Sequence, residues 1–309
     1  MKKHYTITFL FVFCWMNTLL YSQEVRIFTL NDFDLKGDVK SCLVMTDYGK
    51  EEFDFDEKGY LTKLVTRYND SDYTTTHYKY DSGELMEKRV ENYIDGEFDE
   101  STSIANFYEI DTTQNRKVTE KIFSYSNEAL DQYEYIYDGD NRLVSIKKTN
   151  NDGVDETVVD YTIYKGESTT SYLLNGVVQK SIRTSEKKKK NGKIMRTVLT
   201  KEFLEGNPIK ASEEIFGDDQ KLISETKFTY DTVTKGFVPA EKLQYSYNEK
   251  GMISGLKSNR EGTEDIKKFI YQYDGEPHQN WIKKIRTPDN AYTTRKIEYY
   301  AQVEVTQEK

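Results

Sequence analysis

The sequence predicts an all-β fold, a long antiparallel meander of about twenty strands curled into a flattened barrel or sandwich. Three observations predict it. A turn-forming motif recurs eight times along the 309 residues. Runs of about eight residues with alternating apolar and polar positions fill the space between copies. No stretch shows a helical apolar period over three turns.

The motif reads aromatic-x-aromatic, then Asp or Asn, two or three turn residues, often Gly, and an aliphatic residue. Phe53-Asp54-Phe55-Asp56-Glu57-Lys58-Gly59-Tyr60-Leu61 is the first copy and Tyr78-Lys79-Tyr80-Asp81-Ser82-Gly83-Glu84-Leu85 the second. Phe123-Ser124-Tyr125-Ser126-Asn127-Glu128-Ala129-Leu130 is a degenerate third. Tyr135-Ile136-Tyr137-Asp138-Gly139-Asp140-Asn141-Arg142-Leu143 is a fourth. Further copies start at Phe216, Phe228, Tyr245 and Tyr271. Tyr245-Ser246-Tyr247-Asn248-Glu249-Lys250-Gly251 echoes the first, and Tyr273, Asp274 and Trp281 mark the last.

Each part of the motif has a physical role. Two aromatics spaced by two lie on one face of a strand. Asp or Asn starts a tight turn by bonding its own backbone. Gly three positions later takes positive φ and forms the bulge that realigns the returning strand. In the first copy this sets Asp56 opposite Tyr60 and Phe55 opposite Leu61. The same register sets Tyr247 opposite Ile253.

Along the chain, the first segment reads as an export signal. Met1 to Lys3 are basic, Ile7 to Met16 are apolar, and Gln23 opens a polar stretch. The apolar run is short of the roughly 20 residues of a membrane span, so residues 1–22 are expected to be a cleaved signal peptide. Residues 23–309 are expected to form a single repetitive domain. Asn31 to Leu35 allows one helical turn at most. Leu61 to Tyr68 and Tyr73 to Tyr80 flank the turn Asn69-Asp70-Ser71-Asp72. Arg142 to Thr149 runs into Asn150-Asn151-Asp152-Gly153, and Glu156 to Tyr164 returns. Asn175-Gly176 is a two-residue hairpin signal. Lys187 to Lys190 reads as a solvated hairpin tip, the alternative being a docking patch for an acidic partner. Asp265 to Tyr273, Trp281 to Thr287 and Thr293 to Tyr300 complete the meander.

The residues between the paired aromatics are polar: Lys79, Glu134, Ser246, Gln272 and Thr229. Each strand is therefore expected to have one wet face and one aromatic face. No helix is available to cover the aromatic face, so the sheet must curl and pack on itself.

Composition excludes several functions. The 44 basic and 53 acidic residues give a net charge of -9, wrong for a nucleic-acid binder. Past residue 22 only Cys42 remains, which rules out an internal disulfide and reads as a small buried hydrophobe. His77 is out of phase with Tyr78 and Tyr80, hence on the wet face, and His278 falls in a turn. Neither is expected to be catalytic. Asp54-x-Asp56 and Asp138-x-Asp140 lack the full ligand series of a calcium loop. No catalytic, cofactor-binding or metal-binding residues are expected, and no cofactor.

The Tyr-Asp-x-x-Gly-x-Leu units resemble the YD repeats of RHS-type secreted proteins. The run Leu35 to Ser41 and the ending Tyr271 to Tyr300 are similar to those of exported proteins of Bacteroidetes-type Gram-negative bacteria. The resemblance covers residues 35–300 and implies a porin-like β fold in some relatives. It implies no catalytic residue. RHS proteins build a shell around a toxin, and this chain shows no toxin or autoproteolytic segment, so that role does not carry over. The expected function is a noncatalytic structural or binding module of the cell envelope, in the periplasm or outside the cell, engaging a protein or a glycan. The alternatives are a glycan- or peptide-processing enzyme using a carboxylate pair and a partner protein for an effector.

Overall fold

The computed structural model describes residues 25–189 and 192–301. The expected signal peptide and Lys190 lie outside the described residues. A short 3-10 turn, Leu30–Phe33, precedes the sheet. The strands of the first half are Val39–Thr46 (β1), Gly49–Phe55 (β2), Leu61–Arg67 (β3), Tyr73–Asp81 (β4), Glu84–Ile94 (β5), Glu97–Asp111 (β6), Lys117–Ser124 (β7), Ala129–Tyr137 (β8), Leu143–Asn150 (β9) and Gly153–Tyr164 (β10). Those of the second half are Glu167–Leu174 (β11), Val177–Lys188 (β12), Ile194–Leu204 (β13), Asn207–Phe216 (β14), Leu222–Asp231 (β15), Gly236–Tyr247 (β16), Ile253–Arg260 (β17), Thr263–Tyr273 (β18), Trp281–Thr287 (β19) and Ala291–Tyr299 (β20).

Every strand pairs antiparallel with its sequence neighbours, and β20 pairs with β1. The sheet is thus a closed twenty-stranded barrel. Closure removes both edges, which an open sheet would present to other chains. Turns after even-numbered strands lie at one end, here called proximal. Turns after odd-numbered strands lie at the distal end.

The core gathers on the inner face of β1 to β10. Val39, Cys42, Phe53, Phe55, Leu61, Tyr78, Leu85, Tyr108, Val118, Tyr135, Tyr137, Leu143, Ile146 and Val159 are buried there. The segment before β1 packs into it at the proximal end. The Phe33 ring lies 4.7 Å from Phe53 and 5.6 Å from Phe55, and Phe28 lies 6.0 Å from Tyr78. Backbone bonds fix this segment: Leu61 N–H donates to the Phe28 carbonyl at 3.0 Å and Leu30 N–H to Gly59 at 3.0 Å. A wide barrel leaves a hole unless chain fills it, and residues 25–38 are such a filling.

The expectation of one wet and one aromatic face per strand fails in two places. Among the described residues, β11 to β18 contribute one buried apolar residue, Ala211. Ala211 lies on the outward phase opposite Phe228, and the inner face of these strands mixes half-buried Tyr245, Tyr247, Tyr271 and Tyr273 with cross-strand charge pairs such as Lys180 with Glu202 and Lys227 with Glu241. The second departure concerns two copies of the motif. Asp54, Lys63, His77, Arg89, Ala105 and Phe123 form one cross-strand row over six strands. Phe123 therefore faces outward with Asp54, while Phe53 and Phe55 face inward. Phe228 likewise lies opposite in phase to Glu225, which pairs Leu243 on the face of Tyr245. The six copies on even strands turn at the proximal end with their aromatics inside. The copies on β7 and β15 turn at the distal end with their aromatics outside. A twofold side-chain period makes the face depend on phase alone, so one motif serves both.

Candidate functional site

The proximal turns share one geometry. Asp56 N–H donates to the Tyr60 carbonyl at 2.9 Å, and Gly59 N–H to Asp56 at 2.9 Å. The Asp56 carboxylate accepts from Lys58 N–H at 3.0 Å and Tyr60 N–H at 2.8 Å. Asn248 repeats this, its Oδ1 accepting from Lys250 and Met252 N–H at 3.0 and 2.9 Å. Asp138 does the same for Asp140 and Arg142 at 2.9 Å each. Gly59 has φ 82° and Gly251 φ 83°, and Asn141 takes the equivalent place at φ 58°. The register follows: Phe55 pairs Leu61 and Tyr247 pairs Ile253 across a bulge.

Two copies depart from this. Asp81 pairs directly with Glu84, and Ser82 and Gly83 at φ 50° and 85° form a two-residue turn. Tyr80 there stacks on Tyr60, ring centroids 5.1 Å apart. In the last copy Asp274 accepts from Asn280 N–H at 2.6 Å and from the Tyr299 hydroxyl. Asn280 also bridges to Lys36, with 2.8 Å bonds to its N–H and carbonyl. Trp281 is buried beside it, with the Arg295 guanidinium 3.6 Å from its ring centroid. These residues build and seal the proximal end.

His278 is more than a turn residue. Its ring stacks on Tyr299 at 4.1 Å and fills the space above Gly37, where a Cβ would meet Nδ1 at 2.1 Å. Burial, followed by the hydrogen bond to Asp274, pushes the Tyr299 hydroxyl up to about 12. Cys42 is buried in the core, and burial pushes its thiol up to about 11, away from a reactive thiolate. Among the described residues no group of three or more His, Cys, Asp or Glu is arranged to hold a metal ion. The carboxylates of Asp56 and Asp138 are spent on their own turns.

The feature that sequence reading missed is on the outside. Tyr73, Tyr93, Phe98 and Tyr125 form a continuous strip of rings over β4 to β7 at the distal end. Tyr73 and Tyr93 stack at 4.4 Å and 9°. Phe98 lies 5.7 Å from Tyr93 and 5.1 Å from Tyr125. Tyr125 and Tyr93 donate to the Glu91 carboxylate at 2.7 and 3.2 Å. His77 stands 3.7 Å from the same carboxylate, on the face that its phase indicates. Beside the strip, Arg89, Ala105, Phe107, Phe123 and Tyr125 line a groove of about 240 Å³. Arg89 lies over Phe107 and Tyr125, 5.6 and 5.9 Å from their centroids, and donates to Glu87. Buried Ala105 forms a flat floor between larger neighbours. The signal in the sequence was the small residue in Ala105-Asn106-Phe107 and the phase of Phe123.

No family model matches the chain, and no curated protein matches it. Solved structures do match. A porin-like protein from Bacteroides vulgatus aligns over 85% of this chain and 99% of its own, at 8% identity and TM-score 0.26. A protein of unknown function from Bacteroides fragilis aligns over 55% and 89%, at 12% identity and TM-score 0.19. The Tc holotoxin pore of Photorhabdus luminescens aligns over 79% of this chain and 18% of that chain, at 11% identity and TM-score 0.17. The closed barrel described above rests on its own strand pairing. Among the described residues no helix is long and apolar enough to cross a membrane.

Proposed function

We infer that this chain is a noncatalytic, exported binding module that holds a neutral glycan against its outer aromatic strip. The observation that carries the reading is the strip itself. Tyr rings offer an apolar body and a polar tip, which suits a ligand with apolar ring faces and hydroxyl edges. Glu91 and Arg89 stand beside the rings as acceptor and donor for hydroxyls. The adjoining groove is smaller than the roughly 300–1,000 Å³ of pockets that engulf a ligand. It suits one ring-sized unit of a chain lying along the surface. Export is read from residues 1–22, and kinship with YD-repeat exported proteins from the eight motif copies.

The test is native affinity electrophoresis through gels containing soluble α- and β-glucans and mannans. At least one should retard the protein. Tyr93→Ala and Tyr125→Ala should each remove most of that retardation while circular dichroism stays unchanged. Retardation by no polysaccharide, or retardation indifferent to both variants, would refute the reading.

A further inference from the structure

A groove larger than the one beside the aromatic strip lies on the outer face of β12 to β14 toward the proximal end. It measures about 610 Å³. Met195, Thr197, Leu199 and Ile215 form its floor, and Arg183, Lys187, Lys188 and Lys189 surround it with Glu167 and Glu213. Register explains the arrangement. Lys187 pairs Met195, Ser185 pairs Thr197, and Thr197 pairs Ile215, so these side chains share one face. Short Ser185 and Thr197 leave the middle low while the flanking side chains stand high.

The charges are unbalanced. Arg183 is neutralised by Glu167 at 3.6 Å. Among the described residues Lys187, Lys188 and Lys189 have no ion pair, and the acids lining the groove are Glu167, which pairs Arg183, and Glu213, opposite Leu199. This concentration of positive charge sits on a chain of net charge -9. Exposed lysines repel one another and are ordinarily spaced by acids. Here they surround three half-buried apolar side chains that a purely solvated tip would not need.

The geometry points to a second binding site, for a single-chain amphiphile with an anionic head. The acyl chain lies on Met195, Leu199 and Ile215, and the head is held by Lys187 and Lys189. The floor is two strand spacings across and four residues long, about 10 by 14 Å. That matches a medium-length acyl chain better than a folded partner, whose stable interface needs roughly 800 Å² from each side. Methionine adapts to a flexible chain. The lysine run that reads as a hairpin tip in sequence is, on this view, the head-group end of a groove. The site is independent of the aromatic strip, which lies at the distal end.

Dodecyl phosphate below its micelle concentration is the probe, titrated calorimetrically into the purified protein. One molecule should bind per chain. Dodecanol and inorganic phosphate should each bind at least tenfold more weakly. The Lys187→Glu, Lys189→Glu double variant should lose at least tenfold in affinity, as should Leu199→Glu. Lys242→Glu with Lys268→Glu, an equal charge change elsewhere on the outer face, should leave affinity within twofold. Circular dichroism guards against unfolding, and Leu199→Ser offers a milder floor change. Equal binding of inorganic phosphate, equal loss in the remote charge variant, or no loss in the groove variants would overturn the assignment. So would equal competition by a glutamate-rich peptide.

Discussion

Gly59 is where one missing Cβ decides local structure. Its φ of 82° is nearly free for glycine and costs other residues roughly 1–2 kcal/mol. Gly59→Ala and Gly251→Ala should each destabilise by about that much, while Lys58→Ala and Lys250→Ala should do little. Urea melts of the four variants check this, and equal effects would contradict the turn assignment. These turns were legible in sequence because Asp and Asn bond their own backbone locally. Gly37 was not legible, because what it accommodates is His278, far along the chain. A Cβ there would stand 2.1 Å from the His278 ring. Gly37→Ala should therefore be costly, by more than the 1–2 kcal/mol of backbone strain alone. Combining it with His278→Ala should recover part of the cost, read as a coupling in a double-mutant cycle. Additive effects would mean that the ring does not press on this glycine.

Pairing between elements shows how charge enters the barrel. Glu214 on β14 lies directly opposite Glu225 on β15. Burial raises the affinity of both for protons, and for Glu214 the facing carboxylate adds to it. A carboxyl whose folded pKa lies above its unfolded value favours folding at low pH. That advantage is lost as pH rises from the ordinary value of 4.5 through the raised one. Glu225→Gln should thus raise the urea midpoint at pH 7, and the gain should fade toward pH 4. A gain that persists at pH 4 would assign the effect to packing. Sequence periodicity placed these strands but not their charges, since a period of two does not say which phase is inside. The same ambiguity hid the outer strip: Phe123-Ser124-Tyr125 has the motif of the inward copies and sits on the opposite phase. Its facing follows from long-range register, Phe123 pairing Ala105 in the outward row that begins at Asp54.

The whole molecule depends on closure. Local motifs predicted strands, hairpins and register. They left barrel and sandwich equally open, because the pairing of β1 with β20 joins residues some 250 apart and carries no local signature. The core is one-sided, with fully buried apolar side chains under β1 to β10 and half-buried aromatics mixed with charge pairs under β11 to β18. What closes the sheet is the seam between β1 and β20. Leu43 faces Lys296 across it, and facing residues in an antiparallel pair have Cα atoms about 4.5–5.5 Å apart, within disulfide reach. The most direct test is mild oxidation of a Leu43→Cys, Lys296→Cys variant in a Cys14→Ala, Cys42→Ala background. A closed barrel should give a near-complete intramolecular disulfide, shown by the mass of the peptide linking β1 to β20 and by a monomeric size. Failure of that link to form in folded protein, or formation only between chains, would contradict the closed barrel.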